Sequence, residues 1–256
     1  MLHIAMPMFI FGTLVNGIPI VFPFGNFGAQ DAIRAIKTYK CYRLLGSPRM
    51  LHEILAHPEC DRTEMASLKT VLGGGSMVTF DLMNKFREKL GVNLFVNRYG
   101  MSESLGISTL SLDFNDPNLK VDADSSPIGF LAPFIEGKVV EPTTKRIVPL
   151  GQDGILQVRT RLKMTCYFAE PGKTREAIDE NDWLDTGDMV SMDKDGCLYF
   201  KTRVKELIKI CESKTNSFSN FIYILKFFIV TVNKIDDAAI YPYEIEFYIS
   251  KHENVK

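Results

Sequence analysis

Apolar and polar residues follow two alternating periodicities between residues 18 and 106. Short apolar runs typical of β-strands alternate with stretches in which apolar residues recur three to four positions apart, the spacing of one helical face. Helices are predicted at residues 29–40 and 79–90. Repeated strand–helix units of this kind predict a mainly parallel sheet covered by helices. The strands are predicted at residues 18–22, 42–45, 68–72 and 92–96.

Each predicted helix carries an apolar face that we expect to be buried against the sheet. A further helix is predicted to begin at Ser47, whose side chain suits an N-cap, with Pro48 at the first helical position. The apolar faces are Ala32, Ile33, Ile36 and Tyr39 in the first helix, and Leu82, Met83, Phe86 and Leu90 in the second.

Beyond residue 111 the pattern changes to short alternating strands separated by Gly, Pro and Asp. The sequence Asp-Lys-Asp-Gly at residues 193–196 predicts a tight hairpin. These features predict a small antiparallel β subdomain. Its strands are predicted at residues 136–140, 146–148, 154–160, 188–192 and 197–201.

Composition narrows the classes of protein that fit. The chain has 256 residues, of which 46% are hydrophobic, and this amount of apolar material predicts a folded core rather than disorder. A formal net charge of -1 disfavours nucleic acid as a partner. Five cysteines without a Cys-x-x-Cys pair favour a reducing compartment and no structural zinc site. We read no secretory leader, and the apolar run at 221–232 is too short for a transmembrane helix.

Four short segments carry residue types suited to a nucleotide. The first two follow predicted strands, and ligands of open α/β sheets bind beyond the carboxyl ends of strands. Taken singly, each has an ordinary alternative: the glycines as a connector, residues 99–103 as a strand end with an ordinary turn, Asp188 as a turn residue, and the basic segment as a solvated surface. The segments are Gly-Gly-Gly-Ser at 73–76, Tyr-Gly-Met-Ser-Glu at 99–103, Leu-Asp-Thr-Gly-Asp at 184–188 and a basic stretch at 201–209.

In this order, the last three of these segments resemble the signature motifs of adenylate-forming enzymes: acyl-CoA synthetases, coumarate-CoA ligases and beetle luciferases. The resemblance runs from about Pro7 to Lys209 and resumes at 240–246, and Trp183 completes a Trp-Leu-x-Thr-Gly-Asp pattern. It implies an α/β fold, a partial N-terminal domain followed by a truncated α+β C-terminal lid. The expected divisions are an α/β sheet subdomain at 1–110, a β-barrel-like subdomain at 111–201, and the hinge and lid at 202–256.

The resemblance also implies roles for particular side chains. The ring of Tyr99 would pack on adenine, the Ser102 hydroxyl would meet the α-phosphate, and Glu103 would hold magnesium. Asp188 would accept hydrogen bonds from both ribose hydroxyls, with Arg203 near ribose and phosphate. The implied nucleotide-binding residues are Gly74, Gly75, Ser76, Tyr99, Gly100, Ser102, Asp188 and Arg203, and the implied catalytic residues are Ser102, Glu103, Arg203 and Lys209.

The implied reaction joins a carboxylic acid to a thiol at the expense of ATP. The acid would first form an acyl-adenylate and then pass to coenzyme A, with ATP/AMP, magnesium and coenzyme A as cofactors. Apolar residues at Met77, Met101 and Leu105 favour an aryl or fatty acid. Two alternatives stay open: a luciferase-like monooxygenase relative, and a catalytically inactive adenylate-binding remnant.

Several positions depart from the family pattern. A phosphate loop ending in Pro-Lys would precede Met1, and a catalytic lid lysine would follow Lys256. The stretch at 211–239 is atypically long for the family and is either a gene-model artefact or a family-specific loop. We expect an intracellular protein, peroxisomal or cytoplasmic, whose C-terminus carries no Ser-Lys-Leu signal.

Overall fold

A computed structural model describes residues 5–23, 27–116 and 126–206 of the chain. Helices and strands alternate in the first half, and strands predominate in the second. The helices are α1 (Ala5–Val15), α2 (Ala29–Tyr39), α3 (Pro48–Ala56), α4 (Phe80–Leu90) and α5 (Pro171–Ala177), with one 3-10 turn at Val204–Glu206. The strands are β1 (Arg43–Gly46), β2 (Thr70–Gly74), β3 (Leu94–Met101), β4 (Leu105–Asp113), β5 (Pro127–Leu131), β6 (Glu136–Val140), β7 (Gly154–Arg159), β8 (Leu184–Met192) and β9 (Leu198–Arg203).

All nine strands of the described residues join one sheet, in the order β1-β2-β3-β4-β5-β9-β8-β7-β6. The pairs β1–β2 and β2–β3 are parallel, as predicted from the strand–helix repeats. From β3 onwards, every pair is antiparallel. The α/β fold class is therefore confirmed, and the parallel part consists of three strands.

Helices α2, α3 and α4 contribute to the first hydrophobic core together with residues of β2 and β3. Thr79 accepts a hydrogen bond from the Leu82 amide at 3.3 Å and caps α4, and Gly91 ends that helix with a left-handed backbone. The predicted faces of α2 and α4 are buried except at Tyr39, which is 66% exposed. Tyr39 is the last residue of α2, so no following helical turn covers it. The predicted N-cap at Ser47 is confirmed.

Two predicted strands are wrong. Residues 18–23 form no strand, because Pro19 and Pro23 lack the amide donor that a sheet ladder needs. Residues 146–148 make only an isolated bridge between Val140 and Ile147, and Ile147 stays 71% exposed. Conversely, the sequence analysis did not predict β4, β5 or α5.

The second core lies among the antiparallel strands. It contains Ile107 of β4, Leu156 of β7 and Leu184 of β8, each fully buried. The Asp-Lys-Asp-Gly hairpin is confirmed, because Asp193 receives hydrogen bonds from the amides that follow it and Gly196 has φ +85°. The subdomain divisions at 110 and 201 stay predictions, since one sheet runs through both cores.

Three sequence-based predictions concern residues 207–256, which lie outside the described residues. They are the insertion at 211–239, the apolar run at 221–232 and most of the expected lid. Among the residues that the structure does describe, no helix is long and apolar enough to cross a membrane.

Candidate active site

Three of the predicted site residues, on strands β3, β8 and β9, contact one another through the carboxylate of Asp188. The Tyr99 hydroxyl donates a hydrogen bond of 2.6 Å to Oδ2 of Asp188. The Arg203 Nε lies 3.2 Å from Oδ1 of the same carboxylate, and Asp188 and Arg203 are register partners on β8 and β9. Asp188 is 3% exposed, whereas the side chain of Arg203 is largely open to solvent. The three side chains therefore form one charged cluster with a solvent-facing side.

The Thr-Gly-Asp sequence creates a local irregularity in β8 that presents Asp188. Thr186 donates to the Leu156 carbonyl at 2.8 Å and accepts from the Asp188 amide at 3.1 Å. Gly187 has φ +69°, a conformation that favours glycine, and its amide donates to Asp185. Strand β8 advances from Asp185 to Met189 while β7 advances only from Gln157 to Ile155. The extra residues form a bulge, a feature that re-aims side chains.

Charge and burial act together on Tyr99. Burial raises the pKa of the Tyr99 phenol well above its ordinary value, and the negative charge of Asp188 raises it further. The phenol therefore remains a hydrogen-bond donor at neutral pH. Its ring also approaches Phe200 of β9, with centroids 6.5 Å apart. The orientation of Tyr99 is thus determined at both the hydroxyl and the ring.

Ser102 and Glu103 lie in the tight turn between β3 and β4. The Glu103 carboxylate accepts a hydrogen bond of 2.8 Å from the Tyr167 hydroxyl, and the Glu103 carbonyl accepts from the Met164 amide at 2.6 Å. Ser102 is exposed. Gly100 allows the turn to close, because a Cβ there would overlap the Leu105 carbonyl. The turn therefore displays one exposed hydroxyl and one anchored carboxylate.

The glycine-rich turn follows β2 directly. Gly74 is required by the sheet itself, since a Cβ there would lie 2.5 Å from the carbonyl oxygen of Arg98 on β3. Gly75 has φ +83°, and both Gly75 and Ser76 are exposed. Gly74 therefore has a packing role whether or not a ligand binds. Gly75 and Ser76 are the two residues of this turn that remain accessible to a ligand.

Trp183 anchors the start of β8. Its ring lies between two cations, with Lys138 Nζ at 4.3 Å and Arg159 Cζ at 4.7 Å from the ring centroid. Its amide donates to the Asp179 carboxylate at 2.9 Å. The aromatic residue of the Trp-Leu-x-Thr-Gly-Asp pattern thus fixes the segment that leads into the Asp188 bulge.

The structure brings Tyr99, Asp188 and Arg203 into direct contact, while Lys209 lies outside the described residues. Sequence reasoning missed Tyr167 and Thr186 as site residues. No periodicity signals Tyr167, because its contact joins residues 64 positions apart. Thr186 belongs to the recognised Thr-Gly-Asp motif, but the motif does not show that its hydroxyl bonds the Leu156 carbonyl and the Asp188 amide.

Glu103 is compatible with magnesium as a single carboxylate ligand. In the described ranges, no group of three or more His, Cys, Asp and Glu side chains could hold a metal by itself. Magnesium in nucleotide sites is commonly held by one or two carboxylates, with the remaining ligands from phosphates and water. The donor set therefore suits a magnesium ion that arrives with a nucleotide.

Comparison with known proteins defines the class. The sequence profile of the family described as AMP-binding enzyme matches residues 1–168, and the chain belongs to that family. The medium-chain acyl-CoA ligase ACSF2, mitochondrial, of Danio rerio is 30% identical over 192 residues, which cover 75% of this chain and 31% of that protein. The probable CoA ligase CCL5 of Humulus lupulus is 30% identical over 246 residues, which cover 95% of this chain and 43% of that protein.

Solved structures show the same fold. ATP-bound MatB from Rhodopseudomonas palustris superposes with a TM-score of 0.73 at 20% identity, over 94% of this chain and 41% of MatB. The luciferase-like enzyme of the nonluminescent mealworm Zophobas morio gives a TM-score of 0.67 at 27% identity, over 77% of this chain and 47% of that enzyme. The chain thus spans less than half the length of these relatives.

Proposed function

We propose that this chain carries the nucleotide-binding part of an ATP-dependent acid–thiol ligase that forms AMP. A carboxylate oxygen would attack the α-phosphorus of ATP, releasing pyrophosphate and leaving an acyl-adenylate. The sulfur of coenzyme A would then attack the acyl carbon, and AMP would leave. The observation that carries this proposal is the cluster in which Tyr99 and Arg203 both contact the carboxylate of Asp188.

Each member of the cluster has a property that a nucleotide requires. Asp188 offers two carboxylate oxygens to the vicinal hydroxyls of a ribose. Arg203 is a planar donor that is 63% exposed in its side chain, so it can reach ribose and phosphate oxygens. Tyr99 offers a ring face to a purine, and its bond to Asp188 holds both groups in one orientation. Binding of a ribonucleotide would replace part of the Arg203–Asp188 contact.

The adjacent turn would serve the phosphates. Ser102 is exposed and can donate to an α-phosphate oxygen, and Glu103 would hold the magnesium ion that accompanies ATP. Gly75 and Ser76 are exposed on the neighbouring strand end and leave room for the same ligand. Little covalent chemistry is then asked of the protein, because positioning and charge stabilisation account for most of the rate in such transfers. Lys209 is proposed to join the site from the hinge.

The acid is proposed to be an aryl or fatty carboxylic acid. Met101 is half-buried against the second core beside Tyr99, which places an apolar wall next to the nucleotide cluster. The relatives of the chain include a medium-chain acyl-CoA ligase and a 4-coumarate–CoA ligase-like protein, which supports an apolar acid. A peroxisomal or cytoplasmic location remains a prediction.

Binding of AMP to the 256-residue chain tests the proposal, with 2′,3′-dideoxy-AMP as the comparison ligand. We expect AMP to bind at least about tenfold more tightly, because the dideoxy compound leaves the buried Asp188 without its diol partner. Asp188→Asn should abolish this preference, whereas Asp81→Asn, at an exposed pair with Lys85, should leave it intact. Equal binding of the two ligands to the unaltered chain would overturn the role of Asp188.

A second assay separates the proposed ligase from the alternatives. Incubation with ATP, magnesium, coenzyme A and a panel of aryl and fatty acids should yield AMP, pyrophosphate and an acyl thioester. AMP binding without any of these products identifies an adenylate-binding remnant. Light or an oxidised product formed with oxygen and a luciferin identifies the luciferase-like alternative.

A further inference from the structure

The loop between β7 and α5 reaches over the β3–β4 turn and holds Glu103 at two points. The Met164 amide donates to the Glu103 carbonyl at 2.6 Å, and the Tyr167 hydroxyl donates to Oε1 of the Glu103 carboxylate at 2.8 Å. One contact fixes the backbone of the turn, and the other fixes the direction of the carboxylate. The two donors lie three residues apart on the same loop.

The loop itself is anchored to the rest of the fold. The Tyr167 amide donates to Thr174 Oγ1 of α5 at 3.0 Å. Lys163 pairs with Asp182 at 2.7 Å, and Lys163 is 13% exposed in its side chain. Met164 packs against the second core. Tyr167 is therefore presented to Glu103 by a loop held at several points, and the bond between them is a product of tertiary structure.

We propose that Tyr167 is a positioning residue that orients the Glu103 carboxylate toward a divalent cation bound with the nucleotide. This inference rests on the proposed nucleotide function of the same site. With Oε1 accepting the hydrogen bond of the Tyr167 hydroxyl, Oε2 would be the oxygen left for the cation. A half-buried glutamate without that donor samples other rotamers, and each binding event must then order it again.

The phenol is suited to this role because its hydroxyl is a neutral donor, which bonds to the Glu103 carboxylate without adding a charge beside the metal. A phenylalanine at this position keeps the ring and removes only the donor.

The test is the variant Tyr167→Phe in the 256-residue chain, with Mn²⁺ and a nonhydrolysable ATP analogue as probes. Free Mn²⁺ measured by electron paramagnetic resonance gives the metal affinity, and calorimetry without metal gives the nucleotide affinity. We expect about a tenfold weaker Mn²⁺ affinity, the scale at which partners of a metal ligand act, with metal-free nucleotide binding unchanged. The Glu103→Gln variant should lose metal affinity as well, and the double variant should lose little more than Glu103→Gln alone.

A matched control exists at the Asp193 hairpin. Tyr199 donates to Oδ2 of Asp193 at 3.0 Å, so Tyr199→Phe removes the same kind of hydrogen bond away from the Glu103 turn. That variant should keep the metal affinity of the unaltered chain. Unchanged Mn²⁺ affinity in Tyr167→Phe would overturn the inference, and so would an affinity of the unaltered chain for the ATP analogue that is the same with and without Mn²⁺. Absence of any nucleotide binding by the unaltered chain would overturn the proposed function along with it.

Discussion

The Tyr99 hydroxyl and the Asp188 carboxylate are 2.6 Å apart, although their strands are not neighbours in the sheet. Strands β4, β5 and β9 lie between β3 and β8 in the sheet order. In a flat sheet with about 4.8 Å between strands, four such steps would place them about 19 Å apart, beyond the reach of the two side chains. The sheet must therefore curve strongly between β3 and β8, within its antiparallel part. The contact between Tyr99 and Asp188 exists because of that curvature.

Stability should fall at alkaline pH through Tyr99. Its folded-state pKa is raised above the value of about 10 for an unfolded tyrosine, first by burial and then by Asp188. Below pH 10 both states keep the proton, so this contribution to stability is fully present. As pH rises above 10, the unfolded chain releases a proton that the folded chain retains, and stability falls by up to about 1.4 kcal/mol per pH unit. Urea unfolding between pH 8 and pH 11 measures this.

The variant Tyr99→Phe isolates that effect. It should cost about 1–3 kcal/mol at pH 8, because Asp188 loses a donor while buried, and it should make the decline above pH 10 shallower. The control is Tyr39→Phe, since Tyr39 is 66% exposed and should leave both the stability and its pH dependence unchanged. An equally steep alkaline decline in Tyr99→Phe would contradict this prediction.

Alanine at Gly100 or Gly74 should destabilise the fold. At either position, a Cβ would run into a backbone carbonyl, that of Leu105 or of Arg98, which cannot move without disrupting the β-ladder. We expect each substitution to lower the free energy of unfolding by about 3 kcal/mol, measured by urea denaturation. Gly172→Ala is the matched control, because no atom of the residues that the structure describes lies within 4 Å of a Cβ there and the position is helical. Similar stability losses at all three positions would contradict the steric explanation.

Replacing two buried serines that lie four residues apart should change the free energy of unfolding in opposite directions. Ser104 is fully buried and its hydroxyl has no hydrogen-bond partner among the described residues, whereas Ser108 donates to the Ile128 carbonyl at 2.7 Å. Ser104→Ala should raise the free energy of unfolding by about 1 kcal/mol, since it removes a desolvated hydroxyl. Ser108→Ala should lower it by about 1 kcal/mol, since it leaves a buried carbonyl unpaired. Thermal and urea unfolding measure both, and a loss of stability in Ser104→Ala would refute the first expectation.

The elements that were predicted correctly share a strong local signal. Helix α4 has a regular apolar face, from which it was predicted, and the structure adds a capping threonine and a terminal glycine at its two ends. The elements that were missed lack such signals. Strand β4 contains Ser108 and Thr109, and Ser108 becomes buried only because β5 supplies a carbonyl partner from 20 residues away. A polar strand residue therefore misleads a prediction that counts apolar positions.

Some residues of the candidate site could also be predicted from the sequence, and others could not. The motifs around Tyr99 and Asp188 are contiguous in sequence, so their residue types and order could be read from the chain and compared with a family. Tyr167 is different, because the sequence near it contains no regular pattern and its partner Glu103 lies on another element. The sequence could therefore supply the motif residues of the site, while the residue that orients Glu103 could not be found.

By itself, the sequence determined the local features of this protein: the helical faces, the capped helix ends, the left-handed glycine turns and the order of the motifs. These depend on interactions between residues a few positions apart, which periodicity and backbone preference report directly. Tertiary structure alone decided which motifs meet. The contacts of Tyr99 with Asp188 and of Tyr167 with Glu103 depend on sheet curvature and loop anchoring, which arise from packing many distant residues together and leave no local pattern.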